Sequence, residues 1–186
     1  MREIEILVEL KETLPQVLDK LSGLPARGVK RTIDTYFFDP LRNNLKADEH
    51  GKLMECCRLR EKSGKCFVTY KKDHYNGNIW SYSDEYETEI ADMKALEKVF
   101  DCLGLQKLVT VDNLKHTFET TDYEIVVEEV KDLGCFLEVE ALHDNEATPV
   151  QDIKEKIWAF IRDLGLQTGA ELNSGKPELL LNKKMY

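Results

Sequence analysis

Glycine is scarce, at 10 of 186 residues, and neither G-x-x-x-x-G-K-[ST] nor G-x-G-x-x-G occurs. Loops of those two kinds cradle phosphate with backbone N–H groups, so P-loop and dinucleotide-binding chemistry are excluded. The five cysteines, at 56, 57, 66, 102 and 135, are odd in number and make no C-x-x-C. That argues against a disulfide framework or a zinc site. Four histidines, at 50, 74, 116 and 143, show no metal-ligand spacing and adjoin no nucleophile motif, so a histidine mechanism carries little weight. No run approaches the ~20 apolar residues of a membrane span. The opening Met1-Arg2-Glu3-Ile4-Glu5 brings charge too early for a signal peptide. The expected location is the cytoplasm, with no membrane partner. Positive charge is also in deficit. A net charge of −9 and the lack of nucleic-acid module signatures predict no nucleic-acid partner. An anionic substrate would need local bases and metal to overcome that field.

What is present is charge at strand spacing. The chain is 42% hydrophobic and 33% charged, which fits one globular domain over 1–186 with no dividing linker. Glutamates recur as E-x-E at Glu3/Glu5, Glu87/Glu89 and Glu138/Glu140, and bases repeat the spacing at Arg58/Arg60. In Glu3-Ile4-Glu5-Ile6-Leu7-Val8-Glu9-Leu10 every even position is aliphatic. Residues two apart in a strand share a face, ~6.5–7 Å apart. Several strands therefore carry one apolar and one charged face. Two readings stay open: an antiparallel sheet with one face in water, or a barrel that turns its charged faces inward.

The periodicity predicts strands over about 2–10, 29–38, 54–61, 65–71, 84–90, 107–111, 115–120, 123–130 and 134–142. Helices are expected over about 14–22, 92–103 and 148–164, with Gly23, Gly104 and Gly165 as stops. Asp39 to Lys52 and residues 72–84 read as polar loops, and 170–186 as a polar tail ending in Glu178-Leu179-Leu180-Leu181. The order is α+β, mostly antiparallel, with helices packed outside the sheet. Carboxylate pairs suit Mg²⁺ or Mn²⁺, and arginine and lysine suit phosphate. A cavity holding both has the parts for phosphoryl or nucleotidyl transfer.

Six pieces then fall in an order that resembles the CYTH superfamily, the triphosphate tunnel metalloenzymes, and within it the class IV adenylate cyclase group. Glu3-Ile4-Glu5 is similar to that family's E-x-E-x-K strand, and Asp34-Thr35-Tyr36-Phe37 to its D-T-Y-F. Arg58-Leu59-Arg60 with Thr69-Tyr70-Lys71 resembles its R-L-R … T-Y-K hairpin, and Glu85-Tyr86-Glu87-Thr88-Glu89 its E-Y-E-x-E. Glu128-Glu129-Val130 and Leu133-Gly134-Cys135-Phe136-Leu137-Glu138-Val139-Glu140 are similar to D-x-V … L-G-x-F-x-E-I-E. The resemblance spans about residues 3–181.

It implies an eight-stranded antiparallel β-barrel, or tunnel, around a divalent metal and a triphosphate. Glu3, Glu5, Glu138 and Glu140 are the implied metal ligands. Arg58, Arg60, Lys71 and Lys115 would bind phosphate, with Lys71, Lys115 and Glu128 catalytic and Glu87 and Glu89 supporting. The implied reaction is ATP to cyclic AMP and pyrophosphate. The alternatives are a triphosphatase on inorganic, thiamine or other organic triphosphate, and a non-catalytic nucleotide or polyphosphate binder. A monomer or homodimer is expected. Four positions depart from the pattern. Leu7 stands for the strand lysine, and Asn113-Leu114-Lys115 keeps one base of K-x-R. Glu128 stands for aspartate, and Ser174-Gly175-Lys176-Pro177 replaces an S-Y element. Two expectations follow: Leu7→Lys raises triphosphate affinity, and removing a crowded lumen arginine stabilises the free protein.

Overall fold

A computed structural model of the chain describes residues 2–49, 51–143 and 147–185; His50 lies outside them. The strands are β1 (Arg2–Glu3), β2 (Glu5–Leu10), β3 (Ala26–Phe38), β4 (Glu55–Lys62), β5 (Lys65–Asn76), β6 (Ile79–Ile90), β7 (Gln106–Glu119), β8 (Tyr123–Val130), β9 (Gly134–Ala141) and β10 (Thr168–Glu171). The helices are α1 (Leu14–Lys20), α2 (Met93–Leu103), α3 (Val150–Asp163) and α4 (Lys176–Met185).

All ten strands form one antiparallel sheet in the order β1-β6-β5-β4-β3-β7-β8-β9-β2-β10. β1 and β2 are one run of chain, broken only at Ile4, yet β1 pairs with β6 and β2 with β9. The N-terminal run thus joins the two ends of the curled sheet. Counted as one stave, it makes eight with β3 to β9, as expected, while β10 adds a short flap on β2.

The alternation in β2 explains the curl. Ile4, Ile6, Val8 and Leu10 turn outward into a core shared with Ile125, Val127, Leu137 and Val139 of the sheet. Val17 and Leu21 at α1 and Ile153, Ile157 and Ile161 of α3 cover that face. A second outer core sets Phe100 of α2 on Phe37 and Leu59, with the Phe37 and Phe100 rings edge-on at 5.0 Å. Because helices take the apolar face, the charged face is left to line the lumen.

Local signals hold. Asp92 caps α2 by accepting from the Ala95 N–H at 3.0 Å. Gly104, at φ 86°, ends it by turning the chain left-handed. Ser63 and Gly64 both take positive φ, which lets a two-residue turn join β4 to β5 at the twist the strands require.

Three expectations need correction. Residues 72–84 are not a loop: β5 runs on to Asn76 and β6 begins at Ile79. Both faces there are polar, and pairs such as His74 Nε2 with Asp84 at 2.8 Å replace the apolar pattern. The strands expected at 107–111 and 115–120 are one, β7; Asp112 looks like a turn residue but receives a two-point bond from Arg31 at 2.7 and 2.6 Å. The polar tail is a strand and a helix. α4 closes one end of the lumen, with Leu180 packed on Leu7, Val109, Val130 and Phe136. Among the described residues, no helix is long and apolar enough to cross a membrane.

Candidate active site in the lumen

Inside the sheet lies a cavity of about 690 Å³. β3 stands four strands from the N-terminal run in either direction along the sheet, so the two walls face each other. One wall is basic and the other acidic.

The basic wall is built by register. Asp34 of β3 pairs opposite Arg60 of β4, and Arg60 clamps it with Nε–Oδ1 at 2.8 Å and Nη2–Oδ2 at 2.7 Å. Burial alone would raise the Asp34 pKa, but Arg60 outweighs it and holds the carboxyl below the usual range. Arg58 is buried, and its Nη2 donates to Thr69 Oγ1 at 3.0 Å, Glu87 Oε2 at 3.2 Å and Glu85 Oε2 at 3.4 Å. Its Nε has no partner among the described residues. Lys71 Nζ lies 2.8 Å from Glu85 Oε1 and 3.7 Å from Glu5 Oε1. Burial works against the Lys71 charge, but Glu5 and Glu85 overcome it, so its pKa lies well above the ordinary value. Lys115 on β7 pairs with Glu128 at 3.1 Å.

The acidic wall is a row of like charges. Glu5 sits directly across from Glu140, and Glu140 directly across from Glu124. Like charges in that position repel. Burial first, then Glu5, Glu3 and Glu138, push the Glu140 pKa up to about 9. Burial and Glu85 push Glu3 to about 8, and burial and Glu138 push Glu5 to about 7. With pKa values so raised, these carboxyls are partly protonated near neutral pH. Glu138 is the exception, held below the usual range against burial by Lys176 and Lys115.

The donor chemistry fits a hard cation, since clustered carboxylate oxygens with elevated pKa values are stabilised by added positive charge. Among the described residues, however, no three acidic, cysteine or histidine side chains converge into a ready cation cage. Glu3, Glu5 and Glu140 with Glu124 would have to swing together to hold Mg²⁺ or Mn²⁺.

Of the residues expected in the site, Glu3, Glu5, Arg58, Arg60, Lys71, Glu87, Lys115, Glu138 and Glu140 line the cavity. Two do not. Glu89 lies outside, half exposed and paired with Lys65 at 2.8 Å. The glutamate pair of β6 that lines the cavity is Glu85/Glu87. Glu128, on the inward face of β8, is wholly buried, and its Oε1 takes Lys115 and Lys176.

Sequence reasoning missed Glu124 and Lys176. Glu124 has the parity of Glu128 and could have been found by it; Lys176 sits in an irregular stretch with no periodic signal. Trp80 is not in a loop but on β6. It is buried against the lining, with Lys71 Nζ 5.0 Å from its ring centre.

A curled antiparallel sheet around a lumen of paired charges defines the class, and sequence comparison gives the family. The CYTH domain model matches residues 1–173, and the chain belongs to that family. It is similar to a Methanocaldococcus jannaschii protein named "Putative adenylate cyclase MJ0240", 28% identical over 158 residues, 84% of this chain and 82% of that one. The PH1819 protein of Pyrococcus horikoshii OT3 superposes with a TM-score of 0.79 at 24% identity, covering 96% of this chain and 99% of that one. HpAC1 of Hippeastrum, an adenylyl cyclase by name whose structure is described as revealing a dominant triphosphatase activity, superposes at 0.68 with 15% identity, covering 97% and 96%.

Proposed function

We propose that the chain is a divalent-cation-dependent enzyme that cleaves a phosphoanhydride bond of a linear triphosphate, with hydrolysis as its reaction. The observation carrying this reading is that Arg58, Arg60, Lys71 and Lys115 line one cavity together with Glu3, Glu5, Glu140 and Glu124. The basic wall would hold phosphate oxygens, Arg60 through the guanidinium N–H groups that Asp34 leaves free and the lysines as point charges. The Arg58 Nε is a buried donor with no acceptor among the described residues. The acidic wall would hold Mg²⁺ or Mn²⁺, which supplies positive charge to the phosphate oxygens as bonds break. Lys71 stays protonated in its carboxylate setting. It therefore stabilises developing charge instead of accepting a proton. Glu85, brought to about 2 by Lys71 and Arg58 against the effect of burial, fixes the positions of those two bases.

Hydrolysis is preferred to cyclisation on one ground. The aromatic side chains on the cavity lining are Tyr36 and Trp80, both buried in packing, and neither offers an open face for a nucleobase. The second reading, an adenylate cyclase, draws on the name of the M. jannaschii relative.

Purified protein is incubated with inorganic triphosphate, ATP or thiamine triphosphate, with Mg²⁺ or Mn²⁺, and the products are resolved. Orthophosphate from triphosphate, abolished by chelator, is the expected result. Cyclic AMP from ATP would move the chain to the second reading. Tight binding without turnover would make it a polyphosphate binder.

A further inference from the structure

Lys176 is the first residue of α4, and it enters the lumen from the end that the helix closes. Its Nζ lies 2.7 Å from Glu128 Oε1 and also donates to Glu138 Oε2. Glu138 stands directly across from Leu7 on the lumen face. Leu7 itself is 2% exposed, packed among Tyr36, Val111 and Leu180. The strand position nearest Glu138 on β2 therefore carries no charge, and the carboxylate is met by a cation from a different element. An ammonium has three donors. Two serve Glu128 and Glu138, and one is left for a ligand oxygen on the cavity side.

We infer that Lys176 is a substrate-binding cation of this lumen, delivered by the C-terminal helix to the place that Leu7 leaves uncharged, and that its ligand is a phosphoryl oxygen of the triphosphate. The inference rests on the triphosphate reading above. It makes the site incomplete without α4, so the plug is part of the binding machinery as well as a lid on an apolar cluster. Leu7 and Lys176 become reciprocal: one lysine is needed beside Glu138, and either position can supply it.

The test is the affinity for inorganic triphosphate, by calorimetry with Mg²⁺ present, alongside thermal melting. Parent protein, Lys176→Met, Leu7→Lys and the double variant Leu7→Lys/Lys176→Met are compared. Lys176→Met is expected to bind triphosphate about tenfold or more weakly, the scale of one charge-assisted hydrogen bond. The double variant is expected to recover most of that loss. Equal affinity in parent and Lys176→Met overturns the inference alone. So does a loss that the folded double variant does not recover, which makes Lys176 an anchor for α4 and nothing more. A parent protein that binds no triphosphate overturns this inference and the proposed function together. If Lys176→Met does not fold, Lys176→Gln, which keeps a donor to Glu128, is read by the same outcomes.

Discussion

Arg60 illustrates how much of each lumen residue's role is set by its partner. It is held by Asp34, 2% exposed, through two bonds. Removing one member of a buried pair leaves the other charge unpaired, at a cost of about 3–5 kcal/mol. Arg60→Ala is therefore expected to lower the melting temperature as well as triphosphate affinity, and Arg60→Lys to restore only part of the binding, since the fork is lost. This reverses the expectation from crowding, that deleting a lumen arginine stabilises the free protein. The crowding is real, but Arg60 is matched by Asp34 at 2.7 Å and Arg58 by Glu87 at 3.2 Å. A melting temperature raised by Arg60→Ala would mean that repulsion dominates after all.

Leu7 is reversed by the same reasoning. With Lys176 already beside Glu138, Leu7→Lys alone puts a second cation into an apolar cluster next to a carboxylate that already has its cation. An unpaired buried charge is costly. The expected result is a lower melting temperature with no gain in triphosphate affinity. A gain in affinity would show that the site has room for both lysines.

At the scale of elements, the row Glu5–Glu140–Glu124 runs across β2, β9 and β8, and it makes stability depend on pH and cation together. Glu3, Glu5 and Glu140 sit at about 8, 7 and 9, above the ordinary 4.5. A carboxyl whose folded pKa is raised contributes its full stability below the unfolded value and loses it as pH climbs through the folded one. Cation-free protein is thus expected to melt at falling temperatures from about pH 5 to about pH 9. Mg²⁺ or Mn²⁺ should reverse the fall, most strongly at the alkaline end, and release protons on binding. A melting temperature that is flat across that range, with or without cation, would mean that these acids neither repel nor bind. Glu124→Gln should flatten the cation-free profile and weaken cation binding.

The elements also show where the sequence was readable. β2 and β9 announce themselves because one face is almost wholly apolar while the other carries Glu5 and Glu9 or Glu138 and Glu140, and the outer core needs the first. The end of β5 and start of β6 do not, because Lys72, Asp73, His74 and Asp84 make both faces polar, and period-2 contrast vanishes. β7 was split because Asp112-Asn113 has turn composition; Arg31 from β3 and the lumen account for those two side chains only once the fold is known. α4 was hidden because its apolar residues, Leu179, Leu180 and Leu181, run consecutively and do not trace one helical stripe. Site residues followed the same rule. Those on alternating strands carry the charged parity, with Lys115 and Glu128 named by the family resemblance, while Lys176, which arrives from a helix end, has no parity to betray it.

For the molecule as a whole, the closing seam is the feature on which everything in the lumen depends. The ring is completed by one stretch, where Arg2 and Glu3 pair with Asp84 and Ser83 while Glu5 to Glu9 pair with β9. Ile4 sits at the changeover, 1% exposed in the outer core, and its carbonyl accepts from the Ala141 N–H at 3.1 Å. Partners far apart in sequence meet there, Arg2 with Asp84 on one side and Glu5 with Glu140 on the other, so the seam is costly to close. Ile4→Ala removes outer-core packing, worth about 2–5 kcal/mol for a buried aliphatic, at the point shared by both ends of the ring. Native-state hydrogen exchange should then show β6 around Ser83 and β9 around Val139 losing protection together, with β3 and β4 on the far wall protected longest. Cation affinity should fall with it, because Glu3 and Glu5 flank the substituted residue. Loss of protection confined to β9 would mean that β1 docks on β6 independently, and that the sheet is a curled strip whose edges merely lie side by side.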